Sequence, residues 1–207
     1  MSLPKPIEQV SKLLAQLPGL GPRQALRLTF YLLHQDKETQ KLLVSSLTNL
    51  FQNISLCQDC FFPFENKTEE VLCDICRNPS RDHTTICVVE KETDLLSLEK
   101  TNKYRGLYQI LGGLYSNIDD NKNKNLTINQ LINRIKKSAK TNKPIREVIL
   151  ALNPTSEGNL TAFHLEKLIR DLNMKIKISR LARGIPTGGE IEFTDSETLI
   201  NSLEGRK

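Results

Sequence analysis

Four cysteines in two close pairs, Cys57-x2-Cys60 and Cys73-x2-Cys76, constrain this chain more than any other part of it. With twelve residues between the pairs, the four sulfurs can close tetrahedrally around one zinc ion. A catalytic zinc keeps one coordination position open for water, and four thiolates leave none. The spacing therefore predicts a structural ion, contributing folding energy to a segment too short for a core of its own. The polar run 65–70 between the pairs reads as a loop tip. His83 could replace one thiolate, but four cysteines already complete the shell. The fifth cysteine, Cys87, lies in the apolar run 85–89 and reads as a small buried hydrophobe.

Metal is preferred to disulfides because the chain is expected in the cytoplasm, where cystines rarely persist. Its N-terminus carries no basic start followed by an apolar stretch, and no apolar run approaches the roughly 18 residues of a membrane span. With 207 residues, 26% charged and 38% hydrophobic, the chain can fold as one large domain or two small ones. The net charge of +5 is small, but residues 121–146 hold eight Lys/Arg and no acid. Such a run is expected to be a solvated helix and loop.

Before the cysteines the period is helical. Ile7, Val10, Leu14 and Leu17 mark a first helix ending before Pro18-Gly19. In Leu17-Pro18-Gly19-Leu20-Gly21-Pro22-Arg23 the glycines permit a tight turn, and Pro22 suits the first position of a second helix. That helix is expected to turn Leu26, Phe30 and Leu33 inward and to carry Arg23 and Arg27 one turn apart. This is a helix-hairpin-helix pattern. The free N–H groups at the helix start, with Arg23 and Arg27 beside them, suit a nucleic-acid phosphate, a contact that carries no base information. A third helix follows, with Leu43, Leu47, Leu50 and Ile54 on one face.

After the cysteines, strand and helix alternate: strands at 85–89, 107–111, 147–152 and 175–181, helices at 92–98, 128–139 and 160–172, and a last helix from Asp195. Such alternation predicts a parallel sheet covered on both faces, with ligands in the crevice beyond its strands' carboxyl ends. Those ends carry Glu90, then Asn153-Pro154-Thr155-Ser156-Glu157-Gly158, then 183–190. Two carboxylates converging there could hold Mg2+. There is no P-loop, no nucleophile motif around a serine or cysteine, and the histidines His34, His83 and His164 are scattered.

Taken in order, the hairpin, the two Cys-x2-Cys pairs, Ile86-Cys87-Val88-Val89-Glu90, Tyr108-x2-Leu111-Gly112-Gly113, Asn153-Pro154-Thr155-x-Glu157-Gly158 and Gly184-x-Pro186-x-Gly188-Gly189 resemble the RecR family of bacterial recombination mediators, over nearly the whole chain. The resemblance implies an α/β protein: a helical helix-hairpin-helix region at 1–55, a small four-cysteine zinc finger at 56–80, a Toprim domain at 81–180, and a C-terminal Gly-rich loop and helix at 181–207 that serves assembly. Catalytic Toprim domains hold Mg2+ with a glutamate after one strand and an Asp-x-Asp pair after a later one. Glu90 matches the first position, but Asn153-Pro154-Thr155 stands where the pair would be, which argues against catalysis.

The family further implies a non-enzymatic DNA clamp, a ring-shaped tetramer that works with RecO and RecF to load RecA at single-strand gaps. Arg23 and Arg27 match its DNA-contacting basic residues, and Glu90 and Glu157 fall on its acidic, RecO-engaging Toprim surface. The loop 116–125 departs from the family in being rich in Asn and Lys. A Mg2+-dependent Toprim nuclease or primase using Glu90 and Glu157 is the alternative, and a zinc-finger transcription regulator a third reading without a visible base-reading helix. On the favoured reading the zinc site is a brace that sets the angle between hairpin and Toprim domain.

Overall fold

The structure, a computed structural model, describes residues 2–66 and 70–206. The chain divides into two units, Met1–Ile54 and Ser55–Lys207. The loop tip expected at 65–70 falls in part outside the described residues.

The first unit holds α1 (Lys5–Leu14), α2 (Pro22–Leu33) and α3 (Lys37–Asn53). Pro22 occupies the first turn of α2, and Gly19 bends the chain into it at φ 79°, a left-handed conformation that a side chain would resist. Asp36 caps α3, its carboxylate accepting from the Thr39 N–H at 2.8 Å and the Thr39 hydroxyl at 2.7 Å. The Gln40 amide donates to the carbonyls of Leu32 and Leu33 at 3.2 and 3.1 Å, tying α3 to the open end of α2.

The inward face of α2 differs from the expected one. Ala25 and Thr29 are its buried residues, Leu26 and Phe30 are half-buried, and Leu33 is 54% exposed. Small side chains at i and i+4 let α1 and α2 approach closely, and the larger ones flank that seam. The stripe on α3 forms at Leu43, Leu47 and Leu50 but stays exposed, and Ile54 has left the helix to open the first strand.

From there run β1 (Ile54–Leu56) and β2 (Pro63–Glu65), a two-stranded pair, then α4 (Asp74–Arg77), β3 (Asp82–Val89), α5 (Glu92–Lys100), β4 (Gly106–Ile110), α6 (Asp120–Asn123), α7 (Ile128–Ser138), β5 (Glu147–Ala151), α8 (Ser156–Arg170), β6 (Lys177–Arg180), a 3-10 turn at Ile191–Phe193 and α9 (Ser196–Glu204). The main sheet has the order β4-β3-β5-β6, with its paired strands parallel. Cys87 lies opposite Tyr108 on one side and Ile149 on the other.

Alternation along these strands makes two cores. Ile86, Val88, Leu107, Val148 and Leu150 face Leu131 and Ile135 of α7 and Ala162, Leu165 and Ile169 of α8. Cys87, Val89, Tyr108, Ile110 and Ala151 face the other way, toward Leu95 of α5 and the four paired cysteines, with Phe61, Phe62, Phe64 and Ile75 around them. The cysteine segment thus covers part of a sheet face, where a parallel sheet ordinarily places a helix. Rather than lacking a core, it shares the sheet's.

It also closes an edge. Strand β4 is the last in the sheet, and its Ile110 N–H donates to the Cys60 carbonyl at 3.0 Å. The loop expected at 117–125 winds into the single turn α6, closed by Asn123, whose Oδ1 accepts from the Ser116 N–H at 2.9 Å and whose Nδ2 donates to the Ser116 carbonyl at 2.6 Å.

Candidate metal centre and nucleic-acid interface

The sulfurs of Cys57, Cys60, Cys73 and Cys76 all lie within 4.8 Å of one another, and Cys60 and Cys73 stand 3.5 Å apart. A tetrahedral zinc with Zn–S bonds near 2.3 Å needs sulfur separations of about 3.8 Å, so the cluster has the right size for one ion. Local backbone builds it. The Cys57 N–H donates to the Phe62 carbonyl and the Phe61 N–H to the Cys57 carbonyl, both at 3.0 Å, folding the first pair into a tight knuckle with Phe61 at φ 65°. Cys73 stands at the N-cap of α4, which carries Cys76.

The cysteines are unbridged and 0–4% exposed. Hydrogen bonds from Cys60, Cys73 and Cys76 hold the Cys57 thiol far below its ordinary range, and contacts with Cys57 push the Cys60 and Cys76 thiols up. Four buried thiols gathered this closely are a donor set on which a divalent cation can replace the protons. Burial alone pushes the Cys87 thiol up to about 12, which leaves it inert, as expected of a packing residue. His83 is turned to the carbonyl of Asn78 through Nε2 at 3.0 Å and is absent from the cluster.

One residue of the centre was not legible as such. Arg134 belongs to the basic run expected to be solvated, yet its side chain is 12% exposed. Its Nη1 donates to the carbonyls of Tyr108 at 2.6 Å and Asp59 at 3.1 Å, and its Nη2 stands 3.7 Å from Cys76 Sγ. Lys136, Lys137, Lys140, Lys143 and Arg146 are exposed as expected. The available signal was position: Arg134 follows Leu131 by three residues and precedes Ile135, on the flank of the buried stripe of α7.

At the carboxyl ends of the strands, the Asn153 amide donates to Glu90 Oε2 at 3.2 Å. An amide thus stands against Glu90 where a second carboxylate would be needed. Glu157 is exposed in the first turn of α8, whose cap is Thr155, accepting from the Gly158 N–H at 3.1 Å. Gly158 is required there, because a Cβ would stand 2.0 Å from the Asn153 carbonyl oxygen. Among the described residues, the paired cysteines form the one group of three or more His, Cys, Asp or Glu donors within reach of a common ion.

In the helical unit Arg23 and Arg27 are exposed, and among the described residues neither makes an ion pair. The N-cap of α2 is Gly21, which offers no side-chain acceptor, and the first turn holds no acid. The helix start therefore keeps both its positive dipole end and its two guanidiniums available to an anion.

A glycine-turned helical hairpin, a four-cysteine cluster and a parallel sheet with a glutamate after its first strand define a protein of the Toprim class with a helix-hairpin-helix. Comparison with known families finds the Toprim domain at residues 84–182, "RecR, helix-hairpin-helix" at 7–50 and "RecR, C-terminal" at 184–207. The recombination protein RecR of Roseiflexus castenholzii is 40% identical over 205 residues, 99% of this chain and 95% of that protein. That of Chloroflexus aggregans is 42% identical over 98% of this chain and 93% of its own length, and that of Chloroherpeton thalassium 42% over 93% and 91%. The chain belongs to the RecR family, the recombination mediators of DNA repair.

Proposed function

We propose that this recombination mediator grips the phosphate backbone of DNA through its hairpin and performs no chemistry on it. Binding rests on the uncapped start of α2 with Arg23 and Arg27 beside it, the observation that carries the reading. Such contacts are indifferent to sequence, and affinity falls steeply with salt as counterions are released. The Toprim sheet serves as a platform rather than a Mg2+ enzyme: Glu90 faces the Asn153 amide, and an amide adds no charge with which to hold the ion. The cysteine cluster holds one structural zinc, favoured by the all-sulfur donor set.

Family membership supports RecO and RecF as partners, RecA loading at gaps as the outcome, a ring tetramer as the working form and the cytoplasm as its place. Glu157, exposed beside the crevice, is the stronger candidate for an acidic partner contact, and Glu90 the weaker because Asn153 already engages it. The exposed Ile191, Phe193, Ile200 and Leu203 suit the assembly role proposed for 181–207.

The test is an Arg23→Ala, Arg27→Ala variant in a DNA-binding titration at several salt concentrations. Two lost phosphate contacts should lower the slope of log K against log salt by about 1.8. Unchanged affinity and slope would remove the hairpin as the DNA surface.

A further inference from the structure

Among the described residues, one charged side chain reaches a cysteine sulfur, and it is Arg134. Its guanidinium is nearly enclosed, yet its nearest carboxylate, on Asp59, lies 3.9 Å away on a side chain 45% exposed. A buried cation so weakly paired needs a further anion. Four thiolates around Zn2+ supply it, because that group carries two net negative charges in a site where the sulfur-bearing residues are 0–4% exposed. Other donors nearby do not balance this charge. Arg77 is held by Glu70 and Asp74, and the Phe62 N–H, 3.5 Å from Cys60 Sγ, is neutral.

We infer that Arg134 is a positioning residue of the metal centre, its guanidinium offsetting the charge of the metal–thiolate group at Cys76 while its other nitrogen fastens the group to strand β4 through the Tyr108 carbonyl. This rests on the reading that the cluster holds a zinc ion. The same fork reaches both Cys76 Sγ and the Tyr108 carbonyl, with Gln109 Oε1 at 3.5 Å from Nη1 and Gln109 in turn donating to the Thr127 hydroxyl at 2.9 Å. Metal binding and the placement of the sheet edge are therefore coupled through one side chain. An arginine suits both duties because its planar fork presents several donors in fixed directions, whereas an ammonium offers a single point charge.

The experiment compares the full chain with Arg134→Lys and Arg134→Met, each loaded with zinc or cobalt. Zinc affinity is read by competition with a chromogenic chelator, and the sulfur-to-cobalt charge-transfer absorption reports the electron density on the thiolates. Arg134→Met should weaken zinc binding about 10- to 100-fold, with Arg134→Lys recovering part of the loss through its charge. Both should shift the absorption. If Arg134→Met does not fold, Arg134→Lys decides alone, since one ammonium cannot reproduce the fork. Wild-type affinity and absorption in the folded variants, even with a lower melting temperature, would overturn the role. A parent protein that takes up neither ion would instead sink the metal reading beneath it.

Discussion

In the helical unit the buried side chains among the described residues are Ala25 and Thr29, whereas the sheet unit buries two clusters, one on each face of β3. The first is held by a glycine turn, a proline start, the Asp36 cap and the Gln40 amide, all devices that fix backbone direction. The second is held by packing. The difference separates binding from stability: changes to the cations of the hairpin should alter what the protein grips, and changes behind the sheet should alter whether it folds.

The largest effect should come from the cysteines. Chelation, or Cys60→Ser, removes a group that forms part of one sheet face, and should cost on the order of several kcal/mol, read as a fall in thermal midpoint with loss of near-UV circular dichroism. A stable, fully folded Cys60→Ser variant lacking only DNA binding would reverse the comparison. Next comes Leu165, fully buried in α8, where Leu165→Ala should cost about 2–5 kcal/mol in urea unfolding. Leu47 of α3, 45% exposed, should cost under about 1 kcal/mol on the same change. Equal losses would mean that another surface covers α3.

An effect between those of Leu165 and Leu47 is pH-dependent. Burial works to raise the Glu99 carboxyl, but the Arg81 guanidinium, 2.5 Å away, and the Tyr108 hydroxyl at 2.7 Å outweigh it and leave the group below its ordinary value of 4.5. A carboxyl depressed in the folded state adds stability that is complete above its unfolded value and is lost as pH falls through the folded one. Glu99→Gln should therefore cost about 1.5–3 kcal/mol at neutral pH and flatten the acid limb of the stability profile. An acid limb identical to the parent's would show that the pair contributes nothing. Smallest of all, Arg23→Ala with Arg27→Ala should leave the folding stability within about 1 kcal/mol of the parent, however much DNA binding falls.

Much of this was legible in the sequence because it rests on local rules. The β-branched and apolar runs located β3, β4, β5 and β6 to within a few residues, and Pro22 and Gly19 located the turn. The cysteine spacing brought four sulfurs together. What was hidden depends on contacts between distant segments. Arg134 and Cys76 are 58 positions apart, and no periodicity announces that a lysine- and arginine-rich helix turns one of its cations inward. Likewise, Leu33 satisfies the apolar period of α2 and lies outside, since the seam was decided by which side chains were small enough for α1 to approach.

The bond from Ile110 to the Cys60 carbonyl has a consequence for misassembly. An uncovered outer strand offers unpaired N–H and C=O groups that template pairing with other chains. Here the outer strand β4 is buried along its length, and the first cysteine knuckle and Arg134 occupy its free side. Metal loss would thus do more than weaken a fold. It would bare an adhesive rim, so that the stripped protein should be found in aggregates before it is found unfolded, and a bound ion would act as a guard on solubility.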